Sequence, residues 1–108
     1  MADKTVTITL TGSDDSNGPN NFNYAPGYLQ VHGGDRVRFT CNRAFTIKFL
    51  DGSPFESASS ISNDSASTSE YLTISTNAKR KAYHYAVMAI NADGLIQVDS
   101  GCPTLEVV

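Results

Sequence analysis

From Thr5 onward the chain alternates: threonines at positions 5, 7 and 9 take turns with Val6, Ile8 and Leu10. A period of two with one apolar side predicts a half-buried β-strand. The same rhythm returns at residues 36–41, where Val37, Phe39 and Cys41 face one way and Arg36, Arg38 and Thr40 the other. Phe45, Ile47 and Phe49 define a further strand, and short ones are predicted at 28–31 and 71–74. The longest is predicted over 82–90, with Tyr83, Tyr85, Val87 and Ala89 on one face, followed by strands at 95–98 and 104–108. No stretch repeats its apolar residues at the helical spacing for long enough to make a helix.

The breaks between these runs are equally regular. Residues 11–21 are dense in Asp, Ser, Asn, Gly and Pro and form a loop. Gly33-Gly34-Asp35 makes a tight turn, Asp51-Gly52 another, and Asn91-Ala92-Asp93-Gly94 has the composition of a hairpin turn. Between 53 and 69 eight of seventeen residues are serine, so strand propensity collapses and a mobile loop is predicted, with Pro54-Phe55 pinning one end into the core. Seven or eight short strands with turns between them imply an antiparallel β-sandwich or barrel.

Composition narrows the function classes. At 108 residues the chain is read as a single domain, 1–108, large enough for one hydrophobic core. A net charge of −3 argues against nucleic acid as a partner, because phosphate affinity rests on clustered Lys and Arg. Lys79-Arg80-Lys81 is a basic run beside Tyr83 and Tyr85, read as a solvated turn entering a strand rather than a stacking surface. No apolar run is long enough to span a bilayer. The first residues pass straight into an alternating strand, so no signal peptide is expected here: cytoplasmic as written, periplasmic or secreted if a signal was removed.

Taken in order, several segments resemble a known family. Residues 28–39, Tyr-Leu-Gln-Val-His-Gly-Gly-Asp-Arg-Val-Arg-Phe, are similar to the x-V-x-x-G-D-x-V-x-F segment of cupredoxins, the plastocyanin/azurin-like superfamily. Residues 42–49 resemble the strand that delivers the first copper-binding histidine there. Tyr83-His84-Tyr85-Ala86-Val87 resembles the aromatic strand leading to the copper cysteine, and Gly94-Leu95-Ile96-Gln97-Val98 the G-x-I-x-V strand that follows. The resemblance implies a cupredoxin-like, Greek-key antiparallel β-sandwich, closest to bacterial members that lack the copper ligands. An immunoglobulin-like interaction domain is the rival, weakened by the lack of Trp.

A blue copper site needs two imidazoles, a thiolate and a weak axial ligand such as a methionine thioether. The resemblance places the cysteine at Val87, the second histidine at Ile90 and the first near Thr46, none of them the required donor. Met88 lies in that neighbourhood but is expected to point away from Val87, since neighbours on a strand face opposite sides. No catalytic, cofactor-binding or metal site is therefore assigned and no cofactor is expected. The alternative is a copper-handling or electron-transfer protein with displaced ligands, drawn from His84 and Met88 on one strand face together with His32.

Other chemistry is weaker still. Cys41 and Cys102 read as two thiols in or near the core rather than a redox pair, with one disulfide left open. Asp14, Asp15, Ser16 and Asn17 carry oxygen ligands without EF-hand spacing. Asp51, Glu56, Asp64 and Glu70 are scattered, and no serine sits in a nucleophile elbow. Asn63-Asp64-Ser65 matches a glycosylation sequon without a secretory context. The expectation is a non-catalytic, copper-free binding or structural module, with an unidentified protein partner and a monomeric or weakly homo-oligomeric state. Its recognition surface is expected at residues 53–69 and at Asn91, Ala92 and Asp93, with Val87 and Ile90 as an apolar cap or contact patch. An exposed sheet edge offers a second route to partners.

Overall fold

The computed structural model describes residues 2–10, 22–50, 52–56, 60–63, 67–90, 94, 96–99 and 103–108. The loop at 11–21, Asp51, Asp64, Ser65, the turn residues Asn91, Ala92 and Asp93, and Cys102 lie outside the described residues.

Two sheets stack face to face. The first runs β2 (Phe22–Ala25), β1 (Asp3–Leu10), β4 (Arg36–Cys41), β7 (Ser67–Thr68), with β8 (Leu72–Thr73) also on β4. The second runs β3 (Tyr28–Val31), β11 (Thr104–Val107), β9 (Ala82–Ile90), β5 (Phe45–Phe49), β6 (Ser60–Asn63), with β10 (Ile96–Asp99) also on β9. Among the described residues there is no helix, and so none long and apolar enough to cross a membrane.

The all-β sandwich agrees with the alternation, but the sheets are mixed rather than purely antiparallel. β1 lies parallel to β4 and β3 parallel to β11. The physical reason is connectivity: a parallel neighbour needs a long crossover, and here the chain passes through the opposite sheet between the paired strands. Alternation looks the same in both senses, so the pattern alone is silent on it.

The core follows the predicted faces. Val6, Ile8 and Leu10 meet Val37, Phe39 and Cys41 from the first sheet, and Phe45, Ile47, Phe49, Tyr83, Tyr85 and Val87 from the second. Phe55 does pin residues 53–56 into this core. Its ring joins Phe39, Phe49 and Tyr85 in a tilted and edge-on cluster with centroids 5.3 to 6.3 Å apart.

The serine-rich segment departs from the loop reading. It contributes two edge strands, β6 and β7, with residues 57–59 and 64–66 outside the described residues. An edge strand needs backbone pairing on one side only and leaves alternate side chains in water, so serine is tolerated there.

The turn after β3 is built around Asp35, whose carboxylate is buried. It accepts hydrogen bonds from the His32 amide at 2.9 Å and the Ala2 amide at 3.0 Å. Burial by itself would raise this carboxyl. The two amides, together with the Lys4 and His32 charges, offset it, and the group sits below the ordinary aspartate value. Gly34 takes a positive φ of 91°, and a Cβ on Gly33 would stand 2.9 Å from the Thr76 Cα. Both glycines are demanded by geometry.

Candidate functional site

The positions matched to copper ligands do not converge. Val87 is fully buried and faces the core, opposite Ile47 on β5 and Asp99 on β10. Thr46 pairs with Met88, and Ile90 with Ile96, on the outward face of the same sheet. Met88 does point away from Val87, with 46% of its surface exposed. Side chains on opposite faces of one sheet cannot surround one ion, and valine and isoleucine donate nothing to a metal. The residues at these positions do not fit copper.

The displaced set fares similarly. His84 and Met88 share the outward face, but four residues of strand separate them by about 13 Å. The His84 Nδ1 lies 3.0 Å from the Thr104 hydroxyl, while the His32 Nδ1 lies 3.1 Å from the Val108 carbonyl oxygen. Those two partners sit at opposite ends of the last strand. Among the described residues no three His, Cys, Asp or Glu side chains are grouped to hold a metal ion. Cys41 is free and buried, and burial pushes its thiol above the ordinary value.

What the outward face does gather is apolar surface. Ile90 and Ile96 are 45% and 56% exposed and stand directly opposite one another, with Met88 next along β9. Thr46 flanks Met88 on β5, and Ser62 flanks Thr46 on β6. Together with Ala44, Phe45 and Asn63 they line a shallow groove of about 250 Å³. None of the described residues that line it is ionisable, and the polar groups they bring are the hydroxyls of Thr46 and Ser62 and the amide of Asn63. It can bury apolar surface, roughly 1 kcal/mol for the exposed remainder of each of the three large side chains.

Hydrophobicity alone would turn Ile96 and Val98 inward, with Gln97 and Asp99 in solvent. The ladder with β9 does the reverse: Gln97 and Asp99 are each 1% exposed and Ile96 points out. The phase is tolerated because Tyr24, reaching across from the first sheet, donates a 2.7 Å hydrogen bond to Asp99. That inversion puts Ile96 beside Ile90 and so creates the apolar face. The sequence offered no signal for it, because the buried carboxylate's partner lies on a different sheet.

Comparison with solved structures matches this architecture over nearly the whole chain. A pseudoazurin from Sinorhizobium meliltoi superposes with a TM-score of 0.56 at 18% identity, over 100% of this chain and 75% of that one. A purple cupredoxin from Nitrosopumilus maritimus gives 0.53 at 12% identity, over 94% of this chain and 98% of that one. The chain has a cupredoxin-like fold. No protein-family model and no curated protein matches it. Likeness at this level of identity establishes the cupredoxin-like fold alone, and function has to be argued from this chain's own surface.

Proposed function

We propose that this chain is a copper-free, non-catalytic cupredoxin-like module that binds an apolar patch of a protein partner through the outward face of its second sheet. The observation that carries the reading is the meeting of Met88, Ile90 and Ile96 on one exposed face. Such a contiguous patch favours an interaction role over an isolated exposed side chain. The groove is smaller than ordinary small-molecule pockets and none of its described lining residues is charged, which favours a protein surface as occupant. Ser62 and Asn63 at its rim belong to the serine-rich segment, and Ile90, expected as part of an apolar contact patch, lines the same groove.

The test has two arms. Titration with Cu(I) and Cu(II) under reducing conditions is expected to give no stoichiometric binding; tight binding lost in His84→Ala or Met88→Ala would make this a copper-handling protein instead. In the second arm a photocrosslinker replaces Met88, or Thr7 on the other sheet, in the source cells. A defined adduct at position 88 alone, whose purified partner binds at least tenfold more weakly to Met88→Asp/Ile96→Asp, supports the reading. Equal crosslinking from both positions overturns it.

A further inference from the structure

The edges of the two sheets are guarded unequally. β2 runs into Pro26, which cannot donate to a ladder, and β7 and β8 are two-residue fragments. On β3 the Gln30 carbonyl oxygen is occupied by the Lys4 ammonium at 2.8 Å. β6 has none of these devices. It is four residues long, reads Ser-Ile-Ser-Asn without a charge or proline, and closes its sheet with β5 as its one strand partner among the described residues.

The direction of its free backbone groups follows from the neighbouring ladder. Leu50 donates to the His84 carbonyl at 3.1 Å, and Ile90 donates to the Ala44 carbonyl at 3.2 Å. The even-numbered residues of β5 therefore bond to β9, and Phe45 and Ile47 turn their backbone groups toward β6. Their partners Asn63 and Ile61 are thus satisfied, while the amides and carbonyls of Ser60 and Ser62 point away from the sheet. Beside this edge a cleft of about 380 Å³ opens between the sheets, with Ile61 and Leu72, both half-buried, among its walls.

We propose that β6 pairs with β6 of a second copy of this chain, antiparallel about a two-fold axis at Ile61. Ser60 of each copy then stands opposite Ser62 of the other, and each such pair exchanges two hydrogen bonds, four in all. Ile61 meets its own symmetry mate in the close, non-hydrogen-bonded position and covers apolar surface at the cleft mouth. The run Ser-Ile-Ser is palindromic about Ile61, so the pairing sets Ser against Ser and Ile against Ile, and it carries no charge to repel its copy; this self-complementarity favours a second copy over another extended chain. Two second sheets become one continuous sheet. The contact is small, so the dimer is weak and concentration-dependent.

Sedimentation of the full chain from roughly 10 μM to 1 mM tests this, a range matched to a small edge contact. The apparent mass is expected to rise from monomer toward dimer. Ser60→Pro removes an outward amide without touching the β5 ladder and should stay monomeric at unchanged melting temperature, whereas Ser60→Ala should dimerise like the parent. Ser60 lies outside the apolar groove, so Met88→Asp/Ile96→Asp should dimerise normally too, which separates this proposal from the function proposed above. Independently of any variant, amide exchange at Ser60 and Ser62 should slow at least tenfold in the dimer. A wild type that stays monomeric across the range, a dimer that Ser60→Pro leaves intact, or amides whose exchange ignores concentration would each overturn it.

Discussion

The Tyr24 hydroxyl donates a 2.7 Å hydrogen bond to the Asp99 carboxylate, joining the edge of one sheet to a strand of the other through the interior. A carboxylate that is 1% exposed is costly to hold unless it is hydrogen-bonded, and the bond fixes which face of β10 turns inward. Tyr24→Phe should therefore destabilise the fold by about 2 kcal/mol, or roughly 10 °C in melting temperature. Amide spectra of Tyr24→Phe should change most along β2 and β10. A variant as stable as the parent would mean that the bond does not set the phase of that strand.

Tyr85 presents the opposite case. Its ring is fully buried, and among the described residues its hydroxyl is the one buried side-chain polar atom without a hydrogen-bond partner. Burial first, and the nearby Asp99 charge second, push the phenol well above its ordinary range, so it stays neutral. Tyr85→Phe removes a desolvated group and keeps the aromatic packing with Phe39 and Phe49. Chemical denaturation should find it as stable as the parent or more so, by up to about 1 kcal/mol. Clear destabilisation would reveal a partner for the hydroxyl, such as an internal water.

Acid should act through Asp35. Its carboxyl lies below the unfolded-state value because the His32 and Ala2 amides hold the charged form. The stability it contributes is fully present above the unfolded aspartate pKa of about 3.9 and is lost as pH falls through the lower, folded one. Urea titrations at pH 7 and pH 3 should show the parent losing more stability than Asp35→Asn, whose side chain does not titrate. Parallel losses would assign the acid sensitivity to other groups.

The Gly33-Gly34 turn distinguishes two kinds of glycine. Gly33→Ala drives a Cβ to within 2.9 Å of the Thr76 Cα, a backbone atom that cannot swing aside. Gly34→Ala meets nothing within 4 Å but must adopt a φ of 91°. Both should destabilise, by roughly 1–3 kcal/mol for the clash and 1–2 kcal/mol for the strained φ. Asn, which tolerates positive φ better, should recover part of the loss at position 34 alone. Recovery at both positions would argue against the steric account at Gly33.

Much of this architecture could be read along the chain. The period-two runs at Val6–Leu10, Val37–Cys41, Phe45–Phe49 and Tyr83–Ala89 named the core faces correctly, because a strand with one wet face must alternate. The order of the Gly-Asp-x-Val-x-Phe and Tyr-x-Tyr segments anticipated a cupredoxin-like fold. The site was less legible. Val87, Ile90 and Thr46 looked like one group in sequence, yet one parity of the strand faces the core and the other the solvent.

Local alternation, fixed by the pleat of each strand, thus determined the strands, their buried faces and the sandwich. Tertiary structure decided everything that depends on who stands beside whom. It set β1 parallel to β4, turned Gln97 and Asp99 inward, and brought Ile96 out beside Ile90. It also drew serine-rich residues into β6, which has β5 as its one strand partner among the described residues. These outcomes rest on hydrogen bonds and ladders between residues far apart in the chain, such as Tyr24 with Asp99, and no local pattern encodes such partners.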